Sequence, residues 1–195
     1  MLKRAFDIVF SAGWLIGFSP LLLVVAILVR LKLGSPVLFI QERPGLRAKP
    51  FRMVKFRTMT DECGFDGELL PDEQRLTPFG KFLRSTTLDE FPEMWNVLLG
   101  DMSVVGPRPL LVRYVARYSP FQARRMEVKP GVTGWAQVNG RNSLTWEEKF
   151  ALDVWYIDHR SFWLDMKIVV MTFFKVFART GINSGEGKTM EEFFG

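Results

Sequence analysis

The most extended hydrophobic pattern in the chain is an uncharged run from Ile8 to Val29. As one straight helix, these 22 residues would extend about 33 Å, close to the thickness of one bilayer hydrocarbon core. Ser19-Pro20 lies at the centre of the run, where proline frees the Ile16 carbonyl and bends a helix. The pattern fits a re-entrant helix that bends at Ser19-Pro20 and returns to the same face. It also fits a proline-kinked spanning helix.

Basic residues flank this run on both sides. They are Lys3, Arg4, Arg30 and Lys32. The positive-inside rule therefore gives no preferred crossing direction, whereas a re-entrant helix keeps both flanks on one side. We predict that residues 1–33 form a re-entrant membrane helix and that residues 34–195 form a cytoplasmic catalytic domain that works with it as one unit.

The next pattern predicts a β-hairpin. Residues 36–41 and 51–59 are rich in apolar and β-branched side chains, and a turn at 43–45 separates them. Lys55 and Arg57 are two residues apart, so they would share one face of the second strand. Such a face can hold a phosphate, although a solvated strand edge is the commoner explanation of two basic residues.

A helix is predicted over residues 85–100, and two starts compete for it. Thr87 and Glu90 have capping-box spacing, which would make Glu90 structural, but this start leaves Pro92 beyond the first turn. A start at Asp89 puts Pro92 in the first turn and leaves the Asp89 carboxylate with unused acceptor capacity. On this local pattern alone, both carboxylates also fit a cap-and-dipole role.

The remaining pattern predicts further helices and one more strand. Helices are expected from Gly80, from Ser119-Pro120 to about Met126, from the capping box at Thr145, and over residues 165–179. Residues 61–78 read as a loop and residues 132–141 as a strand and glycine turn. The chain shows no β-α-β-α alternation, so we predict an α+β fold in which some helices lie at the membrane interface.

Composition and charge restrict the possible functions of the protein. A chain of 195 residues is long enough to form one domain with a hydrophobic core. Residues 1–60 carry ten basic side chains against Asp7 and Glu42, which points to a membrane surface or a phosphorylated substrate. No nucleic-acid-binding motif accompanies this charge. Cys63 and His159 are each the only residue of their type, so a bound metal would take oxygen ligands, which favours Mg²⁺ or Mn²⁺.

One further candidate is an arginine in a stiff segment. Arg108 lies between Pro107 and Pro109, and proline restricts both its own backbone and that of the preceding residue. A pre-oriented guanidinium suits bidentate phosphate binding. A surface arginine in a rigid turn fits the pattern equally well.

Together these segments resemble the bacterial sugar transferases, specifically the small monotopic phosphoglycosyl transferases, over nearly the whole chain. The matching motifs are Lys3-Arg4 with Phe6-Asp7, Ser19-Pro20, Lys55-Phe56-Arg57-Thr58-Met59, Leu88-Asp89-Glu90, Gly100-Asp101-Met102-Ser103, Gly106-Pro107-Arg108-Pro109, Lys129-Pro130-Gly131 and Thr133-Gly134. The resemblance implies that Asp89 is the nucleophile and Glu90 its partner near Mg²⁺. It also assigns functional roles to Lys55, Arg108, Arg141 and Asp153, and it implies that Ser19-Pro20 is the bend of a re-entrant helix.

The resemblance also implies a reaction. The enzyme would transfer a phospho-sugar from a UDP-sugar to polyprenol phosphate (undecaprenol phosphate), at the cytoplasmic face of the bacterial inner membrane. It would release UMP through a covalent phospho-sugar aspartate and would start the assembly of a lipid-linked glycan. Two alternatives stay open. One is a metal-dependent, sugar-only glycosyltransferase, which would release a nucleoside diphosphate. The other is a non-catalytic adaptor that binds anionic membrane lipids through residues 30–57.

Overall fold

The computed structural model describes residues 1–140, 143–177 and 192–195. In these residues the protein has the predicted α+β fold, with two small two-stranded sheets among helices. The helices are α1 (Leu2–Gly17), α2 (Ser19–Lys32), α3 (Asp72–Arg75), α4 (Pro78–Ser85), α5 (Glu93–Leu99), α6 (Pro120–Ala123), α7 (Trp135–Asn139), α8 (Trp146–His159) and α9 (Phe162–Phe177). The strands are β1 (Leu38–Pro44), β2 (Pro50–Phe56), β3 (Ser103–Val105) and β4 (Gly131–Thr133). Short 3-10 turns cover Leu46–Ala48, Leu88–Glu90, Val112–Arg117 and Arg124–Glu127.

The apolar run is bent where the sequence predicts. Helices α1 and α2 meet at Phe18 with an angle of 62° between them. The Ser19 hydroxyl donates to the Ile16 carbonyl at 2.7 Å, and this is the carbonyl to which residue 20 would donate in a regular helix if it were not proline. Within the described ranges, no single helix is long and apolar enough to cross a bilayer. The bent pair together has the length and composition for it.

The start of α1 is bound to the rest of the fold by polar contacts. Asp7 is buried, and its Oδ1 accepts hydrogen bonds from the Ser103 hydroxyl and the Val104 amide, both at 3.0 Å. Lys3 Nζ lies 2.5 Å from Asp165 Oδ2. Arg4 donates to two carbonyls in the last turn of α5 at 2.7 and 2.8 Å. Lys3 and Arg4, the two N-terminal residues of the predicted basic flank, therefore bind groups of the protein itself.

The end of α2 packs against the same body. Val25, Val29 and Leu33 are buried in one cluster with Phe56 of β2 and Leu83 of α4. The beginning of α1 and the end of α2 are thus both attached to the domain formed by the rest of the chain, and the bend at Phe18 lies between these two attachments.

The predicted hairpin is confirmed, with antiparallel pairing of β1 and β2 from Leu38 opposite Phe56 to Pro44 opposite Pro50. Helix α5 is fixed against β2 by the buried Asn96 side chain. Its Oδ1 accepts from the Val54 amide at 3.0 Å, and its Nδ2 donates to the Arg52 carbonyl at 2.8 Å. Because Lys55 follows Val54, this contact brings its side chain close to the start of α5.

The second sheet pairs β3 and β4 in parallel. The contact continues beyond the end of β3, since the Gly106 amide donates to the Thr133 carbonyl at 2.9 Å and the Gly131 amide to the Pro107 carbonyl at 3.0 Å. A Cβ atom on Gly131 would lie 2.0 Å from the Gly106 nitrogen, so this close backbone approach requires glycine. The glycines of both motifs therefore fix the segment that carries Arg108.

Several predicted elements differ from the structure, among them the loop over 61–78, which contains α3. The strand expected over 132–141 ends at Thr133, and α7 follows, because Trp135 and Val138 lie three residues apart and both pack against the core. The last helix begins at Phe162 rather than Asp165, since Ser161 Oγ accepts from the Leu164 amide at 3.2 Å. Its predicted end, at residues 178–179, lies outside the described residues. The capping box at Thr145 is confirmed, and Ser119-Pro120 caps the short helix α6.

Candidate active site

The Asp89–Glu90 pair lies in a 3-10 turn and not in a helix. This turn covers Leu88–Glu90 and follows Thr87, whose φ of 57° is left-handed. Pro92 is the N-cap residue of α5, so neither predicted helix start is correct. The reason is local, since an N-cap residue has no intrahelical amide bond to lose and proline is tolerated there. The predicted stop at Gly100 is confirmed, with a left-handed φ of 96°.

Two cations hold the Glu90 carboxylate. The two terminal nitrogens of Arg108 bind its two oxygens, and Lys55 Nζ donates to Oε1 at 2.8 Å. Burial alone raises the pKa of Glu90, but the charges of Arg108 and Lys55 outweigh it and hold that pKa well below its usual range. The capping-box explanation of Glu90 is excluded, because Thr87 makes no side-chain cap and the Glu90 side chain points to the cations.

The neighbouring Asp89 carboxylate has a different environment. It is 8% exposed, and no hydrogen bond reaches it from the described part of the chain. Burial and the adjacent charge of Glu90 raise its pKa to about 6. The helix N-terminus predicted for Asp89 and the Mg²⁺ implied by the resemblance would both favour the ionised form. The protein surroundings alone act in the opposite direction. Asp89 nevertheless remains mainly a carboxylate at neutral pH.

Glu93 is a site residue that the sequence analysis did not single out. It is 1% exposed, and its Oε1 lies 3.0 Å from Lys55 Nζ. Burial and the charge of Glu90 raise the pKa of Glu93 to about 7. Lys55 is thus shared by two carboxylates from adjacent turns. The three-residue spacing of Glu90 and Glu93 is the sequence feature that could have identified Glu93 as a site residue. Most of the residues around the two carboxylates are apolar, which made the region look like an ordinary helix.

Two arginines near the pair were also missed. Arg84 of α4 is exposed, donates through Nε to Thr58 Oγ1 at 3.1 Å, and its charge acts to lower the pKa of Asp89. Arg43 of β1 has its pKa lowered by burial and by the charge of Arg108. The site is therefore more basic than Lys55 and Arg108 alone would make it.

Asp153 acts on the site through another residue. Its carboxylate is buried and accepts two hydrogen bonds from Arg125, at 3.1 and 2.7 Å. Arg125 also donates to the Arg108 carbonyl at 2.8 Å. Burial raises the pKa of Asp153, and the charge of Arg125 opposes this. These contacts favour a positioning role for Asp153 over direct substrate binding, because the buried ion pair supports the backbone of Arg108.

One predicted site residue, Arg57, is not brought to the pair. The Arg57 guanidinium binds the carbonyls of Met59 and Ser35 at 2.7 and 2.6 Å and the Asp61 carboxylate at 2.6 Å. Strand β2 ends at Phe56, so Arg57 lies beyond the strand and does not share a strand face with Lys55. Arg141 lies outside the described residues.

The donor set agrees with the chemistry of magnesium. Mg²⁺ prefers oxygen ligands and is usually held by one or two carboxylates together with substrate phosphates. Asp89 and Glu90 supply two adjacent carboxylates. In residues 1–140, 143–177 and 192–195, no three metal-ligating side chains are clustered. The pair therefore fits an ion that is completed by substrate oxygens, and not one held by protein side chains alone.

The pKa of Asp89 leads to a prediction for the pH profile. We expect kcat/KM for a sugar-nucleotide donor to fall as the pH drops below about 6, because the carboxylate is the reactive form. Arg84→Gln should move this acid limb to higher pH, since the Arg84 charge lowers the pKa of Asp89. Steady-state kinetics at fixed Mg²⁺ from pH 4.5 to 8 would measure both. Lys81→Gln removes a charge from the same helix and should leave the limb in place. An acid limb that does not move in Arg84→Gln would refute the assignment to Asp89.

The arrangement defines a class of protein. A basic cluster around two carboxylates, next to a bent apolar helix pair, is suited to group transfer between anionic substrates at a membrane surface. The family model of the bacterial sugar transferases matches residues 1–179. The chain belongs to this family, so it is a transferase, and the resemblance seen in the sequence is confirmed.

Proteins with similar sequences are named as transferases of this kind. The chain is 54% identical, over its full length and 96% of the relative, to EpsL of Bacillus subtilis, named an uncharacterized sugar transferase. It is 44% identical over 90% of its length to a UDP-glucose:undecaprenyl-phosphate glucose-1-phosphate transferase of Klebsiella pneumoniae. A UDP-N-acetylgalactosamine-undecaprenyl-phosphate N-acetylgalactosaminephosphotransferase of Aeromonas hydrophila is 37% identical over 88% of the chain. The chain spans 40% and 42% of the length of these last two relatives.

Proposed function

We propose that this protein transfers a phospho-sugar from a UDP-sugar to undecaprenyl phosphate and releases UMP. The observation that carries the proposal is the Asp89–Glu90 pair, in which Glu90 is held by Lys55 and Arg108 while Asp89 has no hydrogen-bond partner among the described residues. The names of the Klebsiella and Aeromonas relatives support the substrate classes. Such a reaction starts the assembly of a lipid-linked glycan.

The reaction we propose has two displacements at one phosphorus atom. A carboxylate oxygen of Asp89 attacks the phosphorus that carries the sugar, and the bond to the bridging oxygen breaks, so UMP leaves with the electron pair. The product on the enzyme is an acyl phosphate. A phosphate oxygen of the lipid then attacks the same phosphorus, the Asp89 carboxylate is released, and the phospho-sugar is joined to the lipid.

Charge is the main obstacle to this chemistry, because a carboxylate must approach a diphosphate. Lys55 and Arg108 are already positioned beside the pair, with Glu90 and Glu93 holding Lys55 and the Arg125–Asp153 ion pair supporting Arg108. Cations fixed before the substrate arrives stabilise developing negative charge without reorganisation. Asp89 and Glu90 would hold Mg²⁺ together with the donor diphosphate, and the ion would supply further charge neutralisation.

The bent helix pair supports a re-entrant topology at the cytoplasmic face of the bacterial inner membrane. Both of its ends are packed against the same body, through Asp7 on α1 and Val29 on α2. A spanning helix would have to separate these two attachments. The apolar side chains Trp163, Phe173 and Phe174 of α9 are exposed and would lie in the membrane interface.

The topology can be tested by straightening the bend. Ser19→Ala combined with Pro20→Leu removes the proline and the hydroxyl that satisfies the Ile16 carbonyl. We expect the N-terminus of this variant to move across the membrane, whereas that of the parent protein stays in the cytoplasm. Cysteine at exposed position 2, labelled in intact cells by a membrane-impermeant reagent, would measure this in a background where Cys63 is replaced by Ser. Labelling of the parent would show that the helix spans.

The activity itself is tested by identifying the leaving nucleotide. Detergent-solubilised protein is incubated with a panel of UDP-sugars, Mg²⁺ and undecaprenyl phosphate, and the nucleotide products are separated. Release of UMP with formation of a lipid-linked diphospho-sugar is the expected result. Release of UDP would instead show a sugar-only glycosyltransferase. Lipid binding without any nucleotide product would contradict catalysis and favour the membrane adaptor.

A further inference from the structure

An aromatic stripe runs along α1 to the bend. Phe6, Phe10, Trp14 and Phe18 follow one another at four-residue spacing, so they lie on one face of the helix. Neighbouring ring centroids are 5.4, 5.9 and 4.4 Å apart in that order. The stripe therefore forms a continuous aromatic surface that begins in the domain and ends at the bend of the helix pair.

The stripe ends next to the carboxylate pair. Phe91, the residue after Glu90, contacts Trp14 and Phe18 with ring centroids 4.9 and 5.5 Å apart. These three rings are only partly covered, and Phe18 is 37% exposed. Trp14 Nε1 is buried and has no hydrogen-bond partner in the described part of the chain. An unpaired indole N–H is unusual, because a buried one normally finds an acceptor.

We propose that Trp14, Phe18 and Phe91 form an acceptor-tail site, which binds the first isoprene units of the polyprenol phosphate. The inference rests on the proposed function. The lipid tail must remain in the apolar phase while its phosphate reaches Asp89, and these rings connect the bend with the residue beside Glu90. Ring faces offer rigid apolar area to a branched, unsaturated chain.

The two half-reactions separate this role from simple packing. Release of UMP from the donor alone needs Asp89 and the basic cluster but no lipid, whereas the second displacement needs the lipid tail in place. A site for the tail should therefore affect the second half-reaction alone. If the rings only attach the helix bend to the Leu88–Glu90 turn, their loss should disturb both half-reactions together.

The test uses Phe91→Leu and Phe18→Leu, with Phe65→Leu as the matched control. Phe65 is an exposed aromatic residue in the loop between β2 and α3. We expect the burst of UMP from UDP-sugar alone to stay within about twofold of the parent in both test variants. The KM for undecaprenyl phosphate should rise about five- to tenfold, the scale of one or two lost aromatic contacts. Phe65→Leu should change neither quantity.

A tail-less acceptor gives a second comparison. Methyl phosphate cannot use the acceptor-tail site, so the parent and both variants should transfer the phospho-sugar to it equally well at high concentration. An unchanged KM for undecaprenyl phosphate in Phe18→Leu and Phe91→Leu would overturn the site, as would an equal loss in both half-reactions for both variants. A parent protein that releases no UMP from the donor would instead count against the proposed function.

Discussion

Asp89→Asn should abolish the covalent intermediate and reduce turnover by about four orders of magnitude or more, as loss of an enzyme nucleophile does. The amide has nearly the same size as the carboxylate, but it carries no negative charge and forms no acyl phosphate. In the part of the chain described here, Asp89 is the carboxylate of the pair that is not occupied by Lys55 or Arg108. A loss of this size is expected for the nucleophile, and Glu90 cannot replace it without leaving Arg108 unpaired.

Intact-protein mass spectrometry measures this directly. After exposure to the donor without lipid, the parent should gain the mass of one sugar phosphate, and Asp89→Asn should gain nothing. Asp66→Asn, an exposed aspartate in the loop after β2, should form the adduct as the parent does. A fully active parent that never shows the adduct under rapid quench would support direct transfer and contradict the covalent step.

Asp153→Asn should destabilise the protein by about 3–5 kcal/mol, the usual cost of leaving a buried partner charge unpaired. Arg125 is 6% exposed, and Asp153 accepts two of its hydrogen bonds, so the variant leaves a buried guanidinium without its counter-charge. Activity should also fall, because Arg125 donates to the Arg108 carbonyl and holds that segment. Arg125→Gln should lower activity in the same way.

Thermal unfolding of the detergent-solubilised protein measures the stability effect. The matched control is Asp158→Asn, which breaks the ion pair of Asp158 with Arg124 on the surface at 2.5 Å. Solvent screens this exposed pair, so the melting temperature should stay close to that of the parent. Equal melting temperatures for Asp153→Asn and the parent would show that the buried pair does not stabilise this region.

The correct predictions from sequence were those with a local cause. The bend at Ser19-Pro20, the stop at Gly100 and the capping box at Thr145 each depend on residues within one helical turn. The hairpin also follows from short-range alternation and a nearby turn. In these segments the preferences of neighbouring residues agree with the final fold.

The site depends on contacts between distant residues, and this part could not be predicted in detail. Lys55 reaches Glu90 because Asn96 fixes α5 against β2, and no local pattern reports that contact. The local sequence around Asp153 gives no sign of its partner, because Arg125 lies 28 positions away. The family resemblance identified Asp153 as functional. The three-dimensional arrangement adds that its partner Arg125 also binds the Arg108 carbonyl, which favours a supporting role.

The polar attachment of α1 also sets an order of events during biosynthesis. Lys3 and Asp165 are separated by 162 positions, and Asp7 and Ser103 by 96. Contacts of such separation form late, because long segments of chain must be closed first. While the nascent chain is still short, neither end of the helix pair has its partners. In the proposed re-entrant topology, lipid insertion would therefore precede the tertiary contacts that later hold both ends in place.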